Sequence, residues 1–174
     1  MISIFLQQRV VSRIKKAPWH GWPVTLQGSI IFAALALPLA WGAGLLEPGF
    51  IGWPYAVILP LTLLVFPSLL EEVFFRGLLL PRGESLVSRS QTFRVVGLNA
   101  ALFTAWHPLN ALTINRGAEA LFLDPVFLGI VFILGVICGM TVLRTGNLWA
   151  AILLHWFTVL IWVVFLGGRN LVLT

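Results

Sequence analysis

Two glutamates stand side by side at Glu71 and Glu72, and Arg76 follows four positions after the second. They lie in the run from Phe66 to Leu80, where Pro67, Ser68, Gly77 and these three residues interrupt a series of Leu, Phe and Val. The chain has only six acidic residues, so a pair in apolar surroundings needs a reason. An ionisable residue inside a membrane segment is costly and marks a functional site by default. Two more occur in apolar runs: His107, directly after Trp106, and His155, after the stretch from Ala150 to Leu154.

These residue types suit hydrolysis of a peptide bond. That reaction needs a base to activate water and a donor for the developing oxyanion. A neutral histidine can hold and orient the water, and a second imidazole can donate to the oxyanion. Glu72 and Arg76 share one helical face at i, i+4 spacing and are expected to form an ion pair. Glu71 points roughly 100° away and is left free for chemistry. One carboxylate and two imidazoles are also a legitimate catalytic zinc set, so Glu71, His107 and His155 could instead be metal ligands. A third reading involves no catalysis: a membrane scaffold or immunity protein, in which the acids form a solvated cap or ion pair and the histidines serve packing.

The elements that must position these groups follow from composition. The chain is 174 residues, 59% hydrophobic and 10% charged. A soluble domain carries roughly 25% charged residues. The expected fold is therefore all-α: a single polytopic membrane domain over 1–174. A span needs about 20 apolar residues. About five transmembrane helices are expected: about 24–46, 50–80, 95–110 (short), 121–143 and 148–166. Residues 1–17 carry Arg9, Arg13, Lys15 and Lys16 against Ile2, Phe5, Leu6 and Val10 at helical spacing. That pattern fits a basic amphipathic helix in the interface. No short apolar core with a small-residue cleavage site is present, so no cleaved signal peptide is expected.

The net charge of +5 does not point to nucleic acid, because the basic residues lie between apolar spans. Their alternation predicts a cytoplasmic N-terminus by the positive-inside rule. With that topology Glu71, His107 and His155 lie ~14, ~15 and ~12 Å from the inner helix ends at 1.5 Å per residue. Three sequence-distant polar residues thus reach one depth, as a site open to the cytoplasm would require. Pro60 and Pro67 are expected to kink the second helix, and Pro108 to bend the third. Gly129, Gly135 and Gly139 read as close helix packing. Cys138 is the single cysteine and carries no redox or metal signature. His20 is expected at the interface. Trp106 and Trp156 adjoin the candidate histidines and could wall the site, with packing the favoured reading.

Other membrane protease types lack their residues here. There is no Gly-x-Ser-x-Gly and no His-Glu-x-x-His. Asp124 is the single aspartate, and the only lysines are Lys15 and Lys16.

Glu71-Glu72-x-x-x-Arg76, then Phe103-x-x-x-His107, then an apolar helix bearing His155, resemble the CAAX protease and bacteriocin-processing family (CPBP). That group contains the Ras-converting endoprotease. The resemblance covers roughly 60–166, the expected peptidase core. It implies an all-helical, glutamate-dependent intramembrane endopeptidase that needs no cofactor and acts on a membrane-anchored protein or peptide. Carried over by position, Glu71 activates water with help from His107, Glu72 and Arg76 support the site, and His155 belongs to the oxyanion side. The family's last motif usually has Asn or a related polar residue four positions after its histidine. Here that position is Val159, which can donate nothing; Thr158 and Asn99 are the nearby alternatives. The resemblance permits removal of C-terminal sorting or CAAX-like tails, in a bacterial inner membrane.

Overall fold

The computed structural model describes residues 10–53, 55–86 and 88–168. Five long helices carry the fold: α1 (Trp22–Gly42), α2 (Tyr55–Leu79), α3 (Arg89–Thr113), α4 (Pro125–Thr145) and α5 (Leu148–Phe165). Helices α1, α2, α4 and α5 are long and apolar enough to cross a membrane. Helix α3 is long but less apolar, and its outward face supplies the argument instead. Leu98, Leu102, Leu109 and Leu112 are all more than half exposed, while Asn99, Phe103 and Asn110 are buried. A helix in water would show the reverse. The molecule is an all-α polytopic membrane protein.

Capping residues set the helix starts. Ser88 Oγ accepts from Gln91 N at 3.1 Å, so α3 begins well before the apolar window of 95–110. Asp124 Oδ1 accepts from Phe127 N at 2.8 Å, with Pro125 at the first position of α4. The fourth span therefore starts at Pro125 and not at Leu121, which belongs to a separate short turn, Glu119–Phe122. Asn147 Oδ1 caps α5 through Trp149 N at 3.1 Å. Pro108 lies inside α3 without ending it.

Helix α4 is the central element, packed against α1, α3 and α5. A Cβ on Gly135 would come within 3.0 Å of Ala100 Cβ, and one on Gly139 within 3.2 Å of Val96 Cγ1. These glycines let α3 and α4 approach closely, as small residues do in membranes. Gly129 faces open space and does not share that role.

Helix α2 breaks at Phe66, whose φ of −131° and ψ of 122° are extended. The break divides it into α2a before Phe66 and α2b after it, with Pro67 opening the second half. Helix interiors penalise proline because it lacks a donor, and the first helical position does not. The indole of Trp156 donates to Pro60 O at 2.7 Å and ties α5 to α2a. Within α2b the single α-helical turn Leu70–Glu72 is followed by π-helical Val73–Leu79. Leu80 N consequently bonds Phe75 O, five residues back, at 3.1 Å.

The connections gather by charge. At one end, Arg82 Nη2 donates to Ser12 Oγ at 3.2 Å and Lys16 Nζ to Thr145 O at 3.1 Å. The N-terminal arm, the α2–α3 loop and the α4–α5 turn therefore share a basic end. At the other, Glu47 N, Gly49 N and Ile51 N donate to the carbonyls of Leu166, Phe165 and Val164 and cover the end of α5. Residues 1–9 of the expected interfacial arm lie outside the described residues. In the part that is described, a short turn at Ser12–Ile14 holds Arg13 buried rather than displayed to solvent. His20 and Trp19 are exposed at the basic end.

Candidate active site

The α2b turn directs its two glutamates to different partners. Glu72 is fully buried. Its Oε1 accepts from Arg76 Nη1 at 3.0 Å and from His155 Nδ1 at 3.0 Å. Arg76 is equally buried; its Nη2 donates to Gly135 O at 3.1 Å, and its guanidinium carbon stands 4.2 Å from the Phe103 ring centroid. One carboxylate thus ties α2b to α5, and one guanidinium ties it to α3 and α4. The expected Glu72–Arg76 pair is present. The bond from His155 is a link that i, i+4 spacing does not reveal.

Glu71 is 8% exposed and differently placed. Its Oε1 accepts from Trp106 Nε1 at 3.1 Å, and its Oε2 is buried with no hydrogen-bond partner from the protein. Glu71 therefore has a neutral donor on one oxygen and a free second oxygen. Trp106, for which the sequence favours packing over walling the site, contacts Glu71 directly. Its adjacency to His107 was the available signal.

His107 Nδ1 lies 3.0 Å from Phe103 O. A carbonyl only accepts, so Nδ1 carries the proton and Nε2 presents a lone pair. The same logic applies to His155: a carboxylate accepts, so Nδ1 carries hydrogen toward Glu72. The Phe103 ring stands between the histidines, 5.1 Å from the His107 ring and 5.7 Å from the His155 ring, both edge-on. The shared contact links His107 on α3 to His155 on α5. Phe122 and Phe127 pack on the other side of His107.

The other candidate donors are placed as follows. Asn99 Nδ2 donates to Phe75 O at 2.8 Å and supports the π-helical turn. Val159 is half-buried on α5 and offers no donor. Among the described residues no group of three His, Cys, Asp or Glu side chains is arranged to hold a metal ion. A zinc site at Glu71, His107 and His155 would also compete with the bond His155 makes to Glu72.

A family model described as type II CAAX prenyl endopeptidase, Rce1-like, matches residues 52–161. The match covers more than half of the chain and includes Glu71, Glu72, Arg76, His107 and His155. This chain belongs to that family. No curated protein and no solved structure gives a significant match. An Rce1-like member whose apolar helices are long enough to span a bilayer is a membrane protease of CAAX type, acting on protein substrates.

Proposed function

We propose that this Rce1-like protein is a glutamate-type intramembrane endopeptidase with Glu71 as the base. The observation that carries the reading is the contrast between the two glutamates. The Oε2 of each is buried without a protein partner, but Glu72 Oε1 is held by Arg76 and His155, whereas Glu71 Oε1 has the neutral Trp106 indole. A carboxylate in such surroundings can take a proton from water.

In this mechanism Glu71 Oε2 and the free His107 Nε2 hold a water between them. Glu71 takes one proton as the water oxygen adds to the scissile carbonyl. The C=O bond becomes a C–O⁻, and His155 Nε2 donates to it while its Nδ1–H stays on Glu72. Glu71 then returns the proton to the leaving nitrogen as the C–N bond breaks, giving a carboxylic acid and an amine, and the acid loses its remaining proton to water. Trp106 holds Glu71 in orientation throughout.

The substrate is a membrane-anchored protein or peptide cut near its membrane-proximal end, of the kind a C-terminal sorting or CAAX-like tail presents. The basic end of the bundle carries the arm and two loops, which fits a cytoplasmic N-terminus by the positive-inside rule. The setting proposed is a bacterial inner membrane.

Peptide termini in membranes from cells carrying wild-type protein or Glu71→Gln at matched expression test the reading. Termini present with wild type and missing with the variant support it and name the substrate. A second reading, a scaffold or immunity protein that keeps the fold without cleavage, is favoured by Val159 at the position where the family usually has a polar residue. It predicts identical termini from both proteins and an unchanged cellular phenotype.

A further inference from the structure

The N-terminal arm reaches the site from the outside. Arg13 is 5% exposed although it lies in a basic segment. Its Nη1 donates to Arg76 O at 2.6 Å and to Leu80 O at 3.2 Å, and its Nη2 to Pro81 O at 2.9 Å. The need for these bonds comes from α2b itself. Leu80 N is spent on Phe75 O, so the carbonyl of Arg76 lacks its usual i+4 donor. Carbonyls freed at a helix end inside a membrane must find another donor. A guanidinium offers several donors in a fixed fork and can serve three carbonyls together.

The next residue of the arm reaches the opposite partner. Ile14 O accepts from Trp149 Nε1 on α5 at 3.0 Å. Further along, Ala17 O and His20 O both accept from Asn147 Nδ2, at 3.0 and 2.8 Å, and Lys16 Nζ donates to Thr145 O. Two adjacent arm residues therefore bind the two helices whose side chains, Glu72 and His155, meet in the core. Arg13 holds α2b one turn beyond Glu72. Ile14 holds α5 less than two turns before His155. Contact is close along the arm: a Cβ on Gly77 would stand 3.2 Å from Val10 Cγ2.

We propose that Arg13 is a positioning residue for the Glu72–His155 pair, and that the Val10–His20 segment is a clamp fixing α2b against α5. The clamp sets the axial and rotational register of the two helices, and with it the orientation of the His155 ring. Its effect on turnover rests on the endopeptidase reading above; its effect on His155 does not.

The test is a ¹⁵N-histidine NMR spectrum of the full chain in lipid nanodiscs. The protein has three histidines, and His155→Gln identifies the Nδ1–H signal of His155. Arg13→Met and Trp149→Phe each remove one jaw of the clamp. Both are expected to abolish the His155 Nδ1–H signal while the His20 and His107 signals persist. Arg13→Lys, a point charge without the fork, is expected to restore part of it. Should Arg13→Met lose all three signals by misfolding, Trp149→Phe decides the matter, since it deletes the donor and keeps an aromatic, though smaller, side chain. An unchanged His155 signal in the folded variants overturns the proposal. On a cleavable substrate the same variants are expected to lose about 10- to 100-fold in kcat with KM within about twofold, the scale of a small misplacement of reacting groups. If wild type cuts nothing, the endopeptidase reading fails, and the NMR result still judges the clamp.

Discussion

His155 Nδ1 lies 3.0 Å from Glu72 Oε1, a hydrogen bond between residues 83 positions apart that joins two helices inside the bundle. The same oxygen accepts from Arg76. Two donors, one of them a permanent cation, converge on one carboxylate oxygen, and the neighbouring glutamate is left out of the arrangement. Adjacent residues of one type thus have different partners: Glu72 joins α2b to α5, and Glu71 accepts from the Trp106 indole on α3.

Removing one partner of a buried ion pair leaves an uncompensated charge and costs about 3–5 kcal/mol. Arg76→Met is therefore expected to destabilise the protein by that amount, read from unfolding in detergent. Replacing Glu72 and Arg76 together, by Gln and Met, is expected to cost less than the two single changes added, because neither charge is then stranded. Additive costs would mean that the pair is not coupled.

Trp106→Phe deletes the N–H that donates to Glu71 Oε1 and keeps an aromatic, though smaller, side chain. A hydrogen bond to a charged group contributes about 1.5–3 kcal/mol. The variant is expected to lower kcat by at least tenfold with little change in KM, measured on a reconstituted substrate. A loss of affinity with kcat intact would place Trp106 in substrate binding instead.

Gly135→Ala puts a methyl 3.0 Å from Ala100 Cβ and 3.3 Å from Arg76 Nη2. Overpacking of that kind costs about 1–3 kcal/mol. Gly129→Ala meets open space and is expected to change stability by less than about 0.5 kcal/mol. Thermal unfolding of the two variants side by side checks the α3–α4 contact against a matched control.

A chelator separates glutamate from zinc chemistry. Activity of the reconstituted protein is expected to survive prolonged incubation with a strong zinc chelator and to show no gain on adding zinc. Loss on chelation and recovery with zinc would favour the metal reading.

Much of the arrangement is legible in the residues, for reasons that also mark the limit. The Glu72–Arg76 pair follows from i, i+4 spacing, a local property of any helix. Apolar run length reveals four spans directly, but it misplaces the ends of α3 and α4. There the stronger signals were Ser88 and the Asp124-Pro125 pair, since capping groups, not hydropathy, decide where a helix begins. The partner of His155 is hidden because it depends on how α5 is rotated against α2b. Arg13 is hidden for a different reason. A charge in a basic arm is ordinarily solvated, and only the π-helical turns of α2b, which release carbonyls, make its burial favourable. Trp106 was in view beside His107, but nothing in the local pattern separates an indole that donates to a carboxylate from one that fills space.

The central claim is that Glu71 is the base, and its most direct test is cleavage of a membrane-anchored peptide by wild-type and Glu71→Gln protein reconstituted in vesicles. General-base catalysis is worth about 10²- to 10⁴-fold. A rate loss in that range is expected for Glu71→Gln, with an unfolding midpoint matching wild type because no ion pair is broken. Equal cleavage rates from the two proteins would contradict it and remove Glu71 from the chemistry.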